Sequence, residues 1–94
     1  MCKEINIRGQ IGLAGQLDLT SNKLLETLNA INTKINEVDF ATGAPVKSVQ
    51  LGSYIDTLKG KQLTKVTQFT LTDYTTIRNM LFENCEGIPY ETLL

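Results

Sequence analysis

Histidine and tryptophan are absent from this chain, and cysteine, proline and methionine occur only twice each. Without histidine there is no Ser-His-Asp or Cys-His nucleophile, no imidazole-ligated metal and no imidazole to titrate near neutral pH. Cys2 and Cys85 stand far apart and form no Cys-x-x-Cys. They read as two reduced thiols rather than as a redox or metal pair. An apolar run of ~18 residues is also missing, as is a signal peptide, so the expectation is a cytoplasmic or virion-associated protein without a membrane partner. Nine Lys and Arg against ten Asp and Glu give a net charge of −1. No basic surplus is present to attract DNA or RNA, and a nucleic-acid partner is not expected.

The remaining catalytic signals are equally thin. Ser21, Ser48 and Ser53 have no base to activate them. Gly9, Gly12 and Gly15 are spaced GxxGxxG but lack the Lys-Ser/Thr step of a phosphate loop, and Lys61 in GKQLT is followed by Gln and strand-like residues. Glu83, Glu86 and Glu91 read as a solvated acidic edge. These absences point away from an enzyme, and no cofactor or metal is expected.

What is present is apolar patterning. The 94 residues suffice for one domain, spanning 1–94, with a thin core. From Ile5 to Leu19 every odd position is Ile, Leu or Gly, while the even ones are polar or small. Such a strand would run ~50 Å at ~3.3 Å per residue, longer than the ~30–35 Å width expected of a domain this size. Residues 1–20 therefore read as a β-hairpin or as an extended arm onto a neighbour. Parity favours an odd loop centred on Gly12, pairing Ile7 with Leu17 and Ile5 with Leu19.

Residues 21–38 read as an amphipathic helix capped by Thr20 or Ser21. Leu24, Leu28, Ile31, Ile35 and Val38 follow at spacings of four, three, four and three, which is a heptad seam. Residues 39–45 (DFATGAP) read as a loop, stopped by Gly43 and Pro45. Residues 46–71 read as a second β-hairpin turning at Lys59-Gly60, with Lys59, Lys61 and Lys65 as a solvated edge. Residues 72–87 read as a second helix with Tyr74, Ile77, Leu81 and Cys85 inward, and 88–94 as an apolar tail ending in Leu93 and Leu94. A short echo between LDLTSNKLLETL and FTLTDYTTIRNML supports the same element order.

The expected fold class is thus α+β, in ββαββα order. Composition is similar to that of small bacteriophage virion or accessory proteins. The function expected is non-enzymatic: an assembly or structural interaction protein, working as a homo-oligomer or with other proteins of a particle. Its contacts would be Ile5, Ile7, Ile11, Leu13, Leu24, Leu28, Ile31, Ile35, Val38, Leu93 and Leu94. The other expectation is a small inhibitor or sequestering protein that binds a host protein or a small nucleotide through Arg8, Tyr54, Lys59, Lys61 and Lys65.

Overall fold

Eight short strands and no helix make up this protein among the residues that the structure, a computed structural model, describes, which are 2–73 and 76–89. The strands are β1 (Glu4–Asn6), β2 (Ala14–Leu19), β3 (Thr27–Ala30), β4 (Lys34–Phe40), β5 (Ser48–Leu51), β6 (Thr57–Lys61), β7 (Gln68–Leu71) and β8 (Asn79–Glu83). They alternate between two four-stranded sheets, β1-β3-β5-β7 and β2-β4-β6-β8, and every pairing is parallel. The chain is therefore a parallel β-solenoid of four coils. Residues 3–25, 26–46, 47–66 and 67–89 form coils 1 to 4, each with one strand in either sheet.

Register gives the repeat length. Glu4, Thr27, Ser48 and Gln68 are successive partners, 23, 21 and 20 residues apart. In the second sheet Gln16, Glu37, Thr57 and Asn79 are 21, 20 and 22 apart. The coil start is marked by a repeated backbone bond: Glu26 N–H donates to Lys3 O, Lys47 N–H to Glu26 O and Thr67 N–H to Lys47 O.

Stacking puts like positions above one another, so the interior is a set of apolar columns. On the first sheet Ile5, Leu28, Val49 and Phe69 share one column. On the second, Leu17, Val38, Leu58 and Met80 share another. Val38, Leu58, Leu28 and Val49 are fully buried. Leu25, Val46 and Val66, each preceding a coil start, and Ile88 near the end of coil 4 are buried too. Burying one such aliphatic side chain is worth about 1.5–3 kcal/mol.

Two local features set the second sheet's path. Gly15 pairs with Ile35 but Gln16 pairs with Glu37, so Asn36 is an extra residue, a β-bulge. Farther along, Gly60 lies opposite Phe82. With no side chain there, the Phe40 and Phe82 rings approach across that rung to 6.4 Å between centroids. A Cβ on Gly60 would meet Leu63 Cδ1 at 2.7 Å and the Phe82 ring at 3.1 Å.

This architecture overturns the α+β expectation. Residues 21–38 are not a helix: they hold a turn, β3 and most of β4. The spacing of four, three, four and three arises otherwise. Turns separate Leu24 from Leu28 and Ile31 from Ile35, and the bulge at Asn36 puts a three-residue step between Ile35 and Val38. Residues 1–20 are no hairpin, since β1 pairs with β3 and β2 with β4, so Ile5 and Ile7 do not face Leu19 and Leu17 across a turn. Nor are 46–71 a hairpin: they contain β5, β6 and β7, and Lys59-Gly60 is the middle of β6. The predicted loop at 39–45 begins within β4, and its Ala41 and Ala44 are buried. The second predicted helix contains β8. Tyr74, Thr75 and the tail from Tyr90 to Leu94 lie outside the described residues. The echo used to support that element order sets Leu19 of β2 against Leu71 of β7, which belong to different sheets.

Candidate functional site

In a solenoid the outward residues of successive coils also line up, and the two outer faces differ. The first sheet presents Thr27, Ser48 and Gln68 in one column and Asn6, Asn29, Gln50 and Thr70 in the next, with Glu4 its only charge. Its contacts are neutral hydrogen bonds, such as Ser48 Oγ to Gln68 Oε1 at 3.3 Å. The second sheet is charged. Asp18, Asp39, Lys59 and Leu81 form one column there. Lys59 pairs with Glu37 at 3.5 Å, and Lys61 with Glu83 at 3.6 Å.

A cleft of about 500 Å³ opens on this charged face, lined by Thr20, Asp39, Thr42, Lys59, Lys61 and Leu81 among others. Gln16 Nε2 donates to Asp39 Oδ2. Asp39 Oδ1 is buried and has no hydrogen-bond partner among the described residues. Asp18 Oδ1, in the neighbouring coil, accepts the Thr20 hydroxyl at 2.6 Å and the Thr20 N–H at 3.0 Å. The two bonds, the hydroxyl's first, hold the Asp18 carboxyl below its usual value. A second cleft of about 360 Å³ is lined by Ile11, Asn32, Thr33, Lys34 and Tyr54 among others. Among the described residues no three His, Cys, Asp or Glu come together as metal ligands.

The residues singled out for ligand contact do not converge. Lys59 and Lys61 are on β6, an interior strand, so they do not guard a sheet edge. Tyr54 lies in the second cleft, while Arg8 and Lys65 line neither. The residues singled out for oligomer contact divide into four sets. Leu28, Ile35 and Val38 are core, buried within this chain rather than offered as a seam. Ile5, Ile7 and Ile31 are half-buried, and Ile11, Leu13 and Leu24 are exposed. Leu93 and Leu94 lie outside the described residues. Cys2 and Cys85 are both free thiols.

Sequence reasoning passed over the open ends of the stack. The described residues place no strand beyond β1 and β2 at one end, or beyond β7 and β8 at the other. Columns that are sealed in coils 2 and 3 are only partly covered there, at Ile5, Ile7 and Leu17 of coil 1 and at Phe69, Met80 and Phe82 of coil 4. Among the described residues, four of the five exposed large apolar side chains also belong to these coils: Ile11 at 70 % exposure, Leu13, Leu24 and, on coil 4, Leu81 at 53 %. A signal for this existed. The segments INEVDF, IDTLKG and IRNMLF recur at Ile35, Ile55 and Ile77, each with an apolar residue three positions on.

Protein-family models, curated proteins and solved structures were compared with this chain, and none matches. Neither the fold nor the comparisons support the bacteriophage and viral terms suggested by composition. No helix among the described residues is long and apolar enough to cross a membrane.

Proposed function

We propose that this chain is a non-enzymatic interaction protein that takes up further polypeptide at the open ends of its two sheets. The observation that supports this reading is the contrast between coils. Ile5, Ile7 and Leu17 of coil 1 and Phe69, Met80 and Phe82 of coil 4 stay half-covered where their columns are closed in coils 2 and 3, although Leu19, Leu25, Leu71 and Ile88 of the end coils are buried. A parallel coil buries each inward residue partly by the coil on either side, so an end coil has one neighbour where it needs two. Unpaired strand edges carry rows of N–H and C=O groups that template another strand.

The edge groups can be assigned. Lys3, Glu26 and Lys47 carbonyls each accept from the following coil, and Ile7 N–H donates to Asn29 O. In a parallel strand alternate residues point their backbone groups to opposite sides. Glu4 and Asn6 therefore face outward from β1, and Leu71 outward from β7.

The test is amide exchange of the full chain, with and without a panel of extended peptides whose apolar and polar residues alternate. Slowed exchange at Glu4, Asn6 or Leu71 is the expected result. Unchanged exchange across the whole panel, in a chain that also stays monomeric at high micromolar concentration, would leave the reading without support. The earlier alternative, a compact ligand site built from Arg8, Tyr54, Lys59, Lys61 and Lys65, has no common cleft to support it.

A further inference from the structure

We infer that the second cleft, at the corner where coils 1, 2 and 3 pass from the first sheet to the second, binds a small aryl carboxylate: one flat apolar ring bearing a single carboxylate. This goes beyond the interaction reading above and uses none of its strand-edge groups.

The corner is built by the backbone. Gly9 and Asn32 hold positive φ, 82° and 60°, and turn the chain at matching places in coils 1 and 2. Gly9 N–H donates to Ile31 O at 2.9 Å and Lys34 N–H to Leu13 O at 2.8 Å, tying the two coils together on both sides of the corner. Thr33 is buried, and its hydroxyl donates to Ala30 O at 2.9 Å, closing the turn that carries Asn32 and Lys34. In coil 3, Gly52 packs against this turn, where a Cβ would stand 3.1 Å from Thr33 O. That close approach brings Ser53 and Tyr54 beside the same turn. The resulting cleft of about 360 Å³ is lined by Ile11 of coil 1, Asn32 and Lys34 of coil 2, and Ser53 and Tyr54 of coil 3 among others. Small-ligand sites span roughly 300–1,000 Å³, so a compact molecule suits this one.

Its side chains are uncommitted, which sets it apart from the first cleft. There Lys59 and Lys61 pair with Glu37 and Glu83, and Asp39 accepts from Gln16. In the second cleft the Lys34 ammonium has no acidic partner among the described residues. The side chains of Asn32, Ser53 and Tyr54 make no hydrogen bond there either. The apolar walls are equally unused. Ile11 and Tyr54 are the two most exposed large apolar side chains among the described residues, and both line this cleft.

Chemistry then selects the ligand class. The Tyr54 ring and the Ile11 side chain suit a flat apolar body. No Asp or Glu lines the cleft, so a ligand cation would meet only Lys34, whereas an anion is attracted. One ammonium matches one carboxylate, and the neutral donors of Asn32, Ser53 and Tyr54 can serve its second oxygen. A phosphate dianion would find a single cation to balance its charge.

The probe is benzoate, titrated into the full nitrogen-15-labelled chain and followed by amide NMR, with benzamide as its uncharged match. The expected result is saturable shifts at Gly9, Asn32, Lys34 and Tyr54, in the millimolar range usual for a ligand of so few atoms. Benzamide should bind about tenfold more weakly. Lys34→Met should weaken benzoate about tenfold and leave benzamide unchanged. Tyr54→Ala should weaken both by at least about threefold. Lys34 and Tyr54 are exposed, so amides away from the cleft should keep their parent positions. Lys59→Met, in the first cleft, should leave benzoate binding unchanged. The comparison of benzoate with benzamide needs no variant, so it stands even where a variant fails to fold. Benzamide binding as tightly as benzoate, shifts centred on Lys59 and Lys61, or no saturable shift at the cleft would overturn the proposal. Adenosine monophosphate binding there more tightly than benzoate would make it a nucleotide site and overturn the ligand class. None of these results bears on exchange at Glu4, Asn6 or Leu71, so the strand-edge reading stands or falls separately.

Discussion

Coils 2 and 3 and coils 1 and 4 are built from the same columns, yet they differ in how much of their apolar surface they keep from water. Leu58 in coil 3 has no exposed surface, whereas Leu17, two coils earlier in its column, is only partly covered. Both are leucines at equivalent register positions. The difference lies in the number of neighbouring coils. In a stack of this kind stability is a sum of each coil's own terms and its contacts with the coils on either side. Along this column burial is therefore set by position in the stack more than by residue type, while Leu19 and Leu25 of the same end coil remain buried.

The sharpest way to break this comparison is a matched pair of truncations. Leu58→Ala should cost about 2–5 kcal/mol, as expected for a filled core site, and Leu17→Ala less than half as much. Urea unfolding at constant slope measures both. Equal losses would mean that coil 1 is as well covered as coil 3. The next test adds volume instead. Gly60→Ala should destabilise by about 1–3 kcal/mol, because its Cβ would press on Leu63 and on the ring of Phe82. A gain in stability would show slack where Phe40 and Phe82 approach.

Smaller effects refine the picture at the turn between the sheets. Thr33 is buried, and its hydroxyl donates to Ala30 O at 2.9 Å. Thr33→Val should cost about 1 kcal/mol, read as a lowered melting midpoint, because it leaves a buried carbonyl short of a partner. The smallest effect belongs to Asp18 on the outer face of coil 1. Its folded carboxyl titrates below the ordinary 3.8 because Thr20 bonds the charged form. The resulting stabilisation is present above that ordinary value and fades as pH falls through the folded midpoint. Carboxyl NMR titration should show the low midpoint, and Thr20→Val should raise it part of the way back, since the backbone bond remains.

The inside-outside parity of several segments was legible in the chain. Ile5 lies in β1, and of KQLTKVTQFTLT only Lys61, which ends β6, and Gln68–Leu71, which form β7, are strand. The fold class was not read correctly. Leu24 to Val38 satisfies a helical spacing because turns and a one-residue bulge insert steps of three and four into a strand pattern. Within that window the helix and the bulged strand give the same apolar positions. Comparison with Ile55, Leu58, Ile77 and Met80 separates them, since a helix has no reason to recur every 20 to 22 residues. The site was harder to read, because side chains such as Lys59 and Tyr54 are placed by coils distant in sequence.

By itself, then, the sequence determined which residues avoid water, the near balance of charge and the absence of imidazole chemistry, since these are properties of side chains wherever they lie. Only the tertiary structure decided that the strands pair in parallel between coils about 20 residues apart, that Leu28 and Val38 are core, and that Leu17 and Phe69 lie at the ends. The physical reason is that parallel pairing joins residues distant along the chain, and no local pattern records which coil will be the last.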